Sequence, residues 1–363
     1  MSGGRIASIQ GLRAVAATMV LVVHAALAIR EARLPATGPF MPSIPNLTFV
    51  GAGGVDLFFV ISGFVMAHSL STTDANPQTF LAARWLRIAP LFALVSATYL
   101  LLLGASPTLG SLSTTLTLLP VFDGPVYHSP LLQVGWSLGF EAAFYILVAV
   151  VLGATRDRIH LLLALTLAAA LTGLFVHPDW APLRLMLNPL QLEFALGILV
   201  WMGWRRDITR RIAAPALVTG ILLFAIGVAF GLGTQIDVGI ESAVDGTSGL
   251  ARTWTWGVPA ALIMIGTIDT VPRGRIATWL GRIGDASYST YLTHPVLLAL
   301  IAIGLPYLPV LHPVITASAF VVASTLLGLI VHAHVERPLL ARLRYRGRLR
   351  LRPSLPARSA PTH

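Results

Sequence analysis

Cysteine and lysine are both absent from the 363-residue chain. Without Cys there is no thiolate nucleophile, disulfide, iron–sulfur cluster or palmitoylated anchor. Without Lys there is no Schiff base and no lysine-held pyridoxal cofactor. Acid–base and covalent chemistry therefore falls to His, Asp, Glu, Ser, Thr or Tyr. Charge is scarce as well: 11% of residues are charged, against about a quarter in soluble domains. With 55% apolar residues and a mean hydropathy of +0.78, the composition excludes both an ordinary soluble enzyme and a disordered chain. The net charge of +10 rests on 25 basic residues, all arginine. On a soluble protein that charge would point to nucleic acid; here it points to arginine in cytoplasmic loops, and no nucleic-acid partner is expected.

What is present is a series of apolar stretches. A bilayer core takes roughly 20 mostly apolar residues per helix. The chain offers ten such stretches, at 8–29, 49–70, 88–104, 132–153, 159–176, 185–204, 212–231, 252–268, 286–304 and 312–334. The expected fold is an all-α polytopic transmembrane bundle of about ten helices with both termini cytoplasmic. With an inner N-terminus, 21 of the 25 arginines fall inside, leaving Arg30, Arg33, Arg184 and Arg252 outside. That asymmetry is the positive-inside pattern. The segment 111–122 is apolar but too short to span, which reads as re-entrant or interfacial. Pro35, Pro39, Pro42 and Pro45 mark one outer loop, and the Gly-rich 231–251 a second. Residues 1–338 form the membrane domain, and 339–363 an Arg-rich, disordered tail that adheres to anionic lipid. No internal repeat is visible, which disfavours an inverted-repeat transporter. Ala26-Leu27-Ala28 after an apolar run resembles a signal-peptidase site, but the polar residues of the first helix favour an uncleaved span.

Ionisable groups at bilayer depth are costly, so each is a functional candidate. Arg13 and His24 lie eleven residues apart, about three turns and roughly 16 Å along one helix face. Asp56 falls at a similar depth on the second span, where a carboxylate can orient the imidazole or simply cap a helix start. Its glycine neighbours at 51, 53, 54 and 63 read as close-packing positions. Ser137, Glu141 and Tyr145 at i, i+4 and i+8 form one polar stripe. Tyr288, Tyr291 and His294, followed by Pro295, form another. Glu193, near the outer side, is a weaker case. His332, His334 and Glu336 have a capping and ion-pairing pattern at a helix end, and no metal centre is expected. Arg84 and Arg87, at i and i+3, are suited to clamping phosphate.

Taken together these segments resemble acyltransferase family 3, polytopic enzymes that O-acylate polysaccharides and related exported molecules. The matching pieces are Ile9-Gln10-Gly11-Leu12-Arg13 with His24, Gly54-Val55-Asp56-Leu57-Phe58-Phe59-Val60-Ile61-Ser62-Gly63-Phe64, and Arg84-Trp85-Leu86-Arg87-Ile88-Ala89-Pro90. Trp136-Ser137-Leu138 with Glu141 and Phe144-Tyr145, Ser287-Tyr288 with Tyr291-Leu292 and His294-Pro295, and Glu336-Arg337-Pro338 complete the set. The first stretch is most similar to the family's stand-alone exopolysaccharide acetyltransferases.

The resemblance implies a bacterial inner-membrane enzyme that moves an acyl group, acetyl by preference, from cytoplasmic acyl-coenzyme A to a hydroxyl of a glycan or other secreted acceptor. Many relatives add an extracytoplasmic hydrolase-like domain; about 25 residues follow the last span here, so such a domain is expected in a separate protein. Arg13, Arg84 and Arg87 are expected to hold the coenzyme A phosphates. His24, assisted by Asp56 or Glu141, either deprotonates the acceptor hydroxyl or carries the acyl group itself. Ser62, Tyr288, Tyr291 and His294 are expected to line the pocket or stabilise the oxyanion, and Ser137 and Tyr145 to line the pocket. A proton-coupled transporter of a glycan precursor also places His, Asp and Glu at depth, and a structural subunit of an export complex is a third possibility.

Overall fold

The computed structural model describes residues 7–31, 33–35, 47–72, 75–104, 106–123, 126–154, 157–230, 240–270, 274–304 and 308–350. The Pro-rich loop from residue 36, the centre of the Gly-rich loop (231–239) and the tail from 351 lie outside the described residues.

The chain is helical almost throughout. Its first half runs α1 (Ala7–Arg30), α2 (Leu47–Thr72), α3 (Pro77–Leu103), the short α4 (Leu109–Thr117), a hairpin of β1 (Val121–Asp123) and β2 (Val126–His128), then α5 (Trp136–Ala154) and α6 (Arg158–Thr172). The second half runs α7 (Ala181–Met186), α8 (Gln191–Arg205), α9 (Ile208–Ala229), α10 (Ile240–Asp245), α11 (Gly249–Arg252) and α12 (Val258–Thr267). It ends with α13 (Gly274–Asp285), α14 (Ser287–Gly304), α15 (Pro313–Val331) and α16 (Arg337–Arg350). Helix therefore continues to Arg350, well into the stretch expected to be a disordered tail. The hairpin pairs Val121 with His128 and Phe122 with Tyr127.

A helix or helix run stands at each of the ten predicted positions. Among the described residues six helices are long and apolar enough to cross a membrane, or seven if α13 and α14, bent by 66°, act as one. The rest are shorter: α6 and α8 have 15 residues each, about 22 Å of helix against a hydrocarbon core of about 30 Å. The outer faces of α9 (Val218, Leu222, Ile226) and α15 (Val322, Leu326, Ile330) are apolar and exposed, as a multi-pass membrane protein requires. The face of α14 is the reverse, with Ser287, Ser289, Thr290, Thr293 and His294 all buried. Polar groups inside and apolar groups outside are the membrane arrangement.

One boundary differs in a way that matters for the site. The third span was expected at 88, yet α3 starts at Pro77, where Asn76 caps the helix by accepting from the Thr79 amide at 2.8 Å. Arg84 and Arg87 are consequently side chains within a long helix rather than loop residues. Close glycine contacts then lock the bundle. A Cβ on Gly54 would sit 2.6 Å from the Ala16 carbonyl of α1, and Gly63 and Gly197 press α2 and α8 together against Phe194 and Val60. Stacked rings fill the space between these helices and α5: Phe59 on Phe194 at 4.9 Å and Phe144 on Phe194 at 4.4 Å.

Candidate active site

Helices α1, α2, α3, α5 and α14 enclose a cavity of about 110 Å³. Nine of the twelve residues expected to form the site line it: Arg13, Arg84 and Arg87, Ser62 and Ser137, Glu141, and Tyr145, Tyr288 and Tyr291. Phe58 and Ser287, which stand in the family motifs without having been assigned to the site, line it too. Their place in those motifs was the only signal they carried.

The cavity holds three guanidinium groups and one carboxylate. Glu141 is anchored by two hydroxyls, Ser62 Oγ donating to Oε1 at 3.1 Å and Tyr145 OH at 2.6 Å. Arg84 donates to Ser69 Oγ at 3.2 Å and lies over the rings of Phe80 and Tyr145. Among the described residues neither Arg13 nor Arg87 makes an ion pair. The cavity therefore carries an excess of positive charge, with Arg13 and Arg87 free of ion pairs among the described residues.

The tyrosines do different work. Tyr288 OH donates to the Ile88 carbonyl at 2.7 Å, tying α14 to α3. Tyr291 OH donates to the Val134 carbonyl at 2.7 Å, so Ser137 Oγ, 2.9 Å away, donates to the Tyr291 oxygen. With Ser62 and Tyr145 on Glu141, these hydroxyl protons are all committed. They tie the walls of the cavity together.

His24, Asp56 and His294 do not line this cavity. His294 is fully buried behind Tyr291, ring centroids 6.1 Å apart, and meets the His24 ring edge-on at 4.6 Å. His24 Nδ1 lies 2.8 Å from the Val20 carbonyl of its own helix. A carbonyl only accepts, so Nδ1 carries the hydrogen and Nε2 of the neutral ring holds the lone pair.

Asp56 was expected to orient that imidazole, and its hydrogen bonds go elsewhere. Both carboxylate oxygens accept from Arg252, Oδ1 from Nε at 3.2 Å and Oδ2 from Nη2 at 2.7 Å. Glu193 sits within side-chain reach of Asp56, fully buried, and no donor reaches either of its oxygens among the described residues. The π turn Thr253–Gly257 follows Arg252 and carries Gly257, where a Cβ would meet Glu193 Cγ at 2.9 Å. Arg252 escaped the sequence reading. Its one signal was position, a lone arginine on the sparsely charged side at the edge of an apolar stretch. At the other end of the bundle Glu336 behaves as expected of an ion-pairing residue, accepting from His332 Nδ1 at 2.7 Å and from Ser289 Oγ at 2.6 Å.

The profile of an acyltransferase domain matches residues 6–333, nearly the whole chain. The chain belongs to acyltransferase family 3. Among curated relatives, the exopolysaccharide production protein ExoZ of Rhizobium meliloti (strain 1021) is 32% identical over 310 residues, 82% of this chain and 92% of that protein. The putative membrane-bound transacylase BcsY of Komagataeibacter xylinus is 29% identical over 266 residues, 66% of this chain and 64% of that protein. The acyltransferase MdmB of Streptomyces mycarofaciens is 27% identical over 330 residues, 80% of this chain and 78% of that protein. No solved structure matches significantly. The protein is thus a multi-pass membrane O-acyltransferase. In this acyltransferase the matched region spans every cavity-lining residue named above, so the cavity is part of the family domain itself.

Proposed function

We propose that this acyltransferase takes an acetyl or similarly short acyl group from cytoplasmic acyl-coenzyme A and transfers it to a hydroxyl of an exported or cell-surface glycan. The observation that carries this reading is the charge of the cavity: Arg13, Arg84 and Arg87 against Glu141 alone. Two of the three guanidinium groups are unpaired, and such forks bind phosphate oxygens in bidentate fashion. The name of the ExoZ relative supports a polysaccharide acceptor. The arginine asymmetry of the ten-span topology supports a cytoplasmic location for both termini and for the arginine end of the cavity.

The chemistry then centres on His24, farther along α1 than Arg13. Its Nε2 takes the proton of the acceptor hydroxyl as the oxygen attacks the thioester carbonyl. The tetrahedral intermediate collapses, the C–S bond breaks, and the coenzyme A thiolate leaves with the proton returned by the imidazolium. No net proton is released. The committed hydroxyls of Ser62, Ser137, Tyr145, Tyr288 and Tyr291 hold the walls of the arginine-lined cavity. His294 backs the His24 ring. A single-turnover reaction with labelled acetyl-coenzyme A and no acceptor tests the step. We expect no label on the protein, and a labelled His24 would replace the base with an acyl-imidazole relay.

A further inference from the structure

A second cavity lies far from Arg13, Arg84 and Arg87. It is formed by the last turns of α3, the start of α4 and the end of the hairpin, and has a volume of about 350 Å³. That is within the roughly 300–1,000 Å³ range of small-molecule sites. Tyr99, on its α3 wall, is fifteen residues beyond Arg84, about 22 Å along the helix. The cavity is therefore at the opposite end of the bundle from the guanidinium groups.

We propose that this groove binds sugar residues of the glycan acceptor, which enters from the side opposite to acyl-coenzyme A. The proposal rests on the reading of the chain as a transferase to a hydroxyl-bearing glycan, and adds where the glycan docks. Three features select the ligand class. First, Tyr99, Tyr127, His128, Ser106 and Ser129 give the groove aromatic faces flanked by hydroxyl and imidazole groups. A pyranose has the matching character, an apolar C–H face and a rim of hydroxyls, and aromatic rings with a polar tip suit such mixed surfaces. Second, no Arg, Asp or Glu lines the groove, so nothing there selects a phosphate or a cation. Third, polar groups are available: among the described residues the Tyr99 hydroxyl, the Ser106 hydroxyl and the His128 ring make no hydrogen bond.

The cavity at the far end of α4 provides the contrast. It is of similar size, about 390 Å³, and is mostly apolar, walled by Leu81, Trp85, Ile88, Leu118 and Ile146, with Arg84, Thr117 and Tyr145 also on its lining. Aliphatic chains of lipid are at home there, and need none of the hydroxyls of the groove. The walls of the groove are also fixed in place. Thr114 Oγ1 donates to the His128 carbonyl at 3.0 Å and the Leu131 amide to Thr115 Oγ1 at 2.8 Å, binding α4 to the hairpin. Tyr127 packs on Phe122 at 5.5 Å, and Arg184 lies over the Phe122 ring at 4.7 Å. Burial pushes the Tyr127 phenol above its usual range, keeping it a neutral hydrogen-bonding group. Tyr127 also lines a narrow crevice with Leu118, Trp136 and Gly139. Trp136, in that crevice, is the sequence neighbour of Ser137 in the arginine-lined cavity.

Binding of neutral gluco- and galacto-tetrasaccharides to the full chain in lipid nanodiscs, without acyl-coenzyme A, tests the assignment. Tyr99→Ala removes an aromatic face, and Ser106→Trp fills the groove from an exposed position that no packing depends on. We expect at least one tetrasaccharide to bind wild type and both variants to bind it ten-fold or more weakly. Acyl-coenzyme A affinity, measured on the same samples, is expected to stay within two-fold. Unchanged sugar binding in both variants, or no binding of any tetrasaccharide to wild type, overturns the proposal. So does native mass spectrometry showing a tightly held lipid that Ser106→Trp displaces with sugar affinity intact. Loss of acyl-coenzyme A binding in wild type would instead count against the donor assignment and leave the sugar result to be read separately.

Discussion

Arg252 clamps Asp56 with two hydrogen bonds, 3.2 and 2.7 Å long, between residues 196 apart in sequence and both shut off from solvent. Arg252 also lies over the Trp136 ring, 5.8 Å from its centroid. The pair thereby joins α2, α11 and the start of α5 at the end of the bundle away from Arg13.

Removing one partner of such a pair strands a buried charge, which costs about 3–5 kcal/mol. Arg252→Gln leaves Asp56 beside Glu193 with no cation, and is expected to lower the melting temperature sharply in detergent. The double change Asp56→Asn with Arg252→Gln is expected to recover at least half of the loss. If Arg252→Gln melts like wild type, the pair does not hold the fold.

The glycines of the bundle separate into two kinds. Gly197→Ala drives a methyl into the Val60 carbonyl and is expected to prevent assembly of α2 on α8. Gly11, in the first motif, has nothing within 4 Å of its would-be Cβ. Gly11→Ala is therefore expected to fold at least as well as wild type, with a helix-propensity gain of about 0.5–1 kcal/mol. Thermal melts and size-exclusion profiles of the two variants decide the matter. Equal behaviour would show that the close approach of α2 and α8 is not needed.

Hydropathy alone was enough to locate the helix runs, because the bilayer demands long apolar stretches wherever a chain crosses it. Side-chain periodicity along single helices was enough to group Ser137 with Glu141 and Tyr145, and Tyr288 with Tyr291. Pairings between helices were not accessible in the same way. Asp56 has the same depth as His24, but depth does not say which neighbour lies closest, and Arg252 arrives from a helix two hundred residues later. The start of α3 was hidden for a different reason. Gln78, Thr79, Arg84 and Arg87 lower the hydropathy of its first turns, although Asn76-Pro77 is an N-cap followed by proline at the first helical position, a start signal in its own right.

Charge in the arginine-lined cavity leads to an ionic-strength prediction. Arg13→Gln and Arg87→Gln remove unpaired guanidinium groups and are expected to weaken acyl-coenzyme A binding at least ten-fold. Both should also flatten its dependence on salt, since exposed and partly exposed charges are screened. Their melting temperatures are expected to stay close to wild type, because neither side chain has an ion-pair partner to lose. Arg84→Gln breaks the contacts with Ser69 and the Phe80 and Tyr145 rings, so it is expected to lose stability as well as affinity. Titrations at low and high salt would contradict this if all three variants bound like wild type.

Tyr291→Phe deletes the hydroxyl that donates to Val134 and accepts from Ser137. The ring remains to pack against His294 and Phe58. We expect kcat to fall several-fold with the KM for acyl-coenzyme A little changed, since the wall shifts but the arginines stay. A large rise in that KM at unchanged kcat would place Tyr291 on the donor instead.

The central measurement is acyl transfer from labelled acetyl-coenzyme A by purified protein in lipid, wild type beside His24→Ala, with melting temperatures compared. We predict transfer by wild type and its loss in a variant that is folded and still binds acetyl-coenzyme A. Full transfer by His24→Ala would contradict the role assigned to His24.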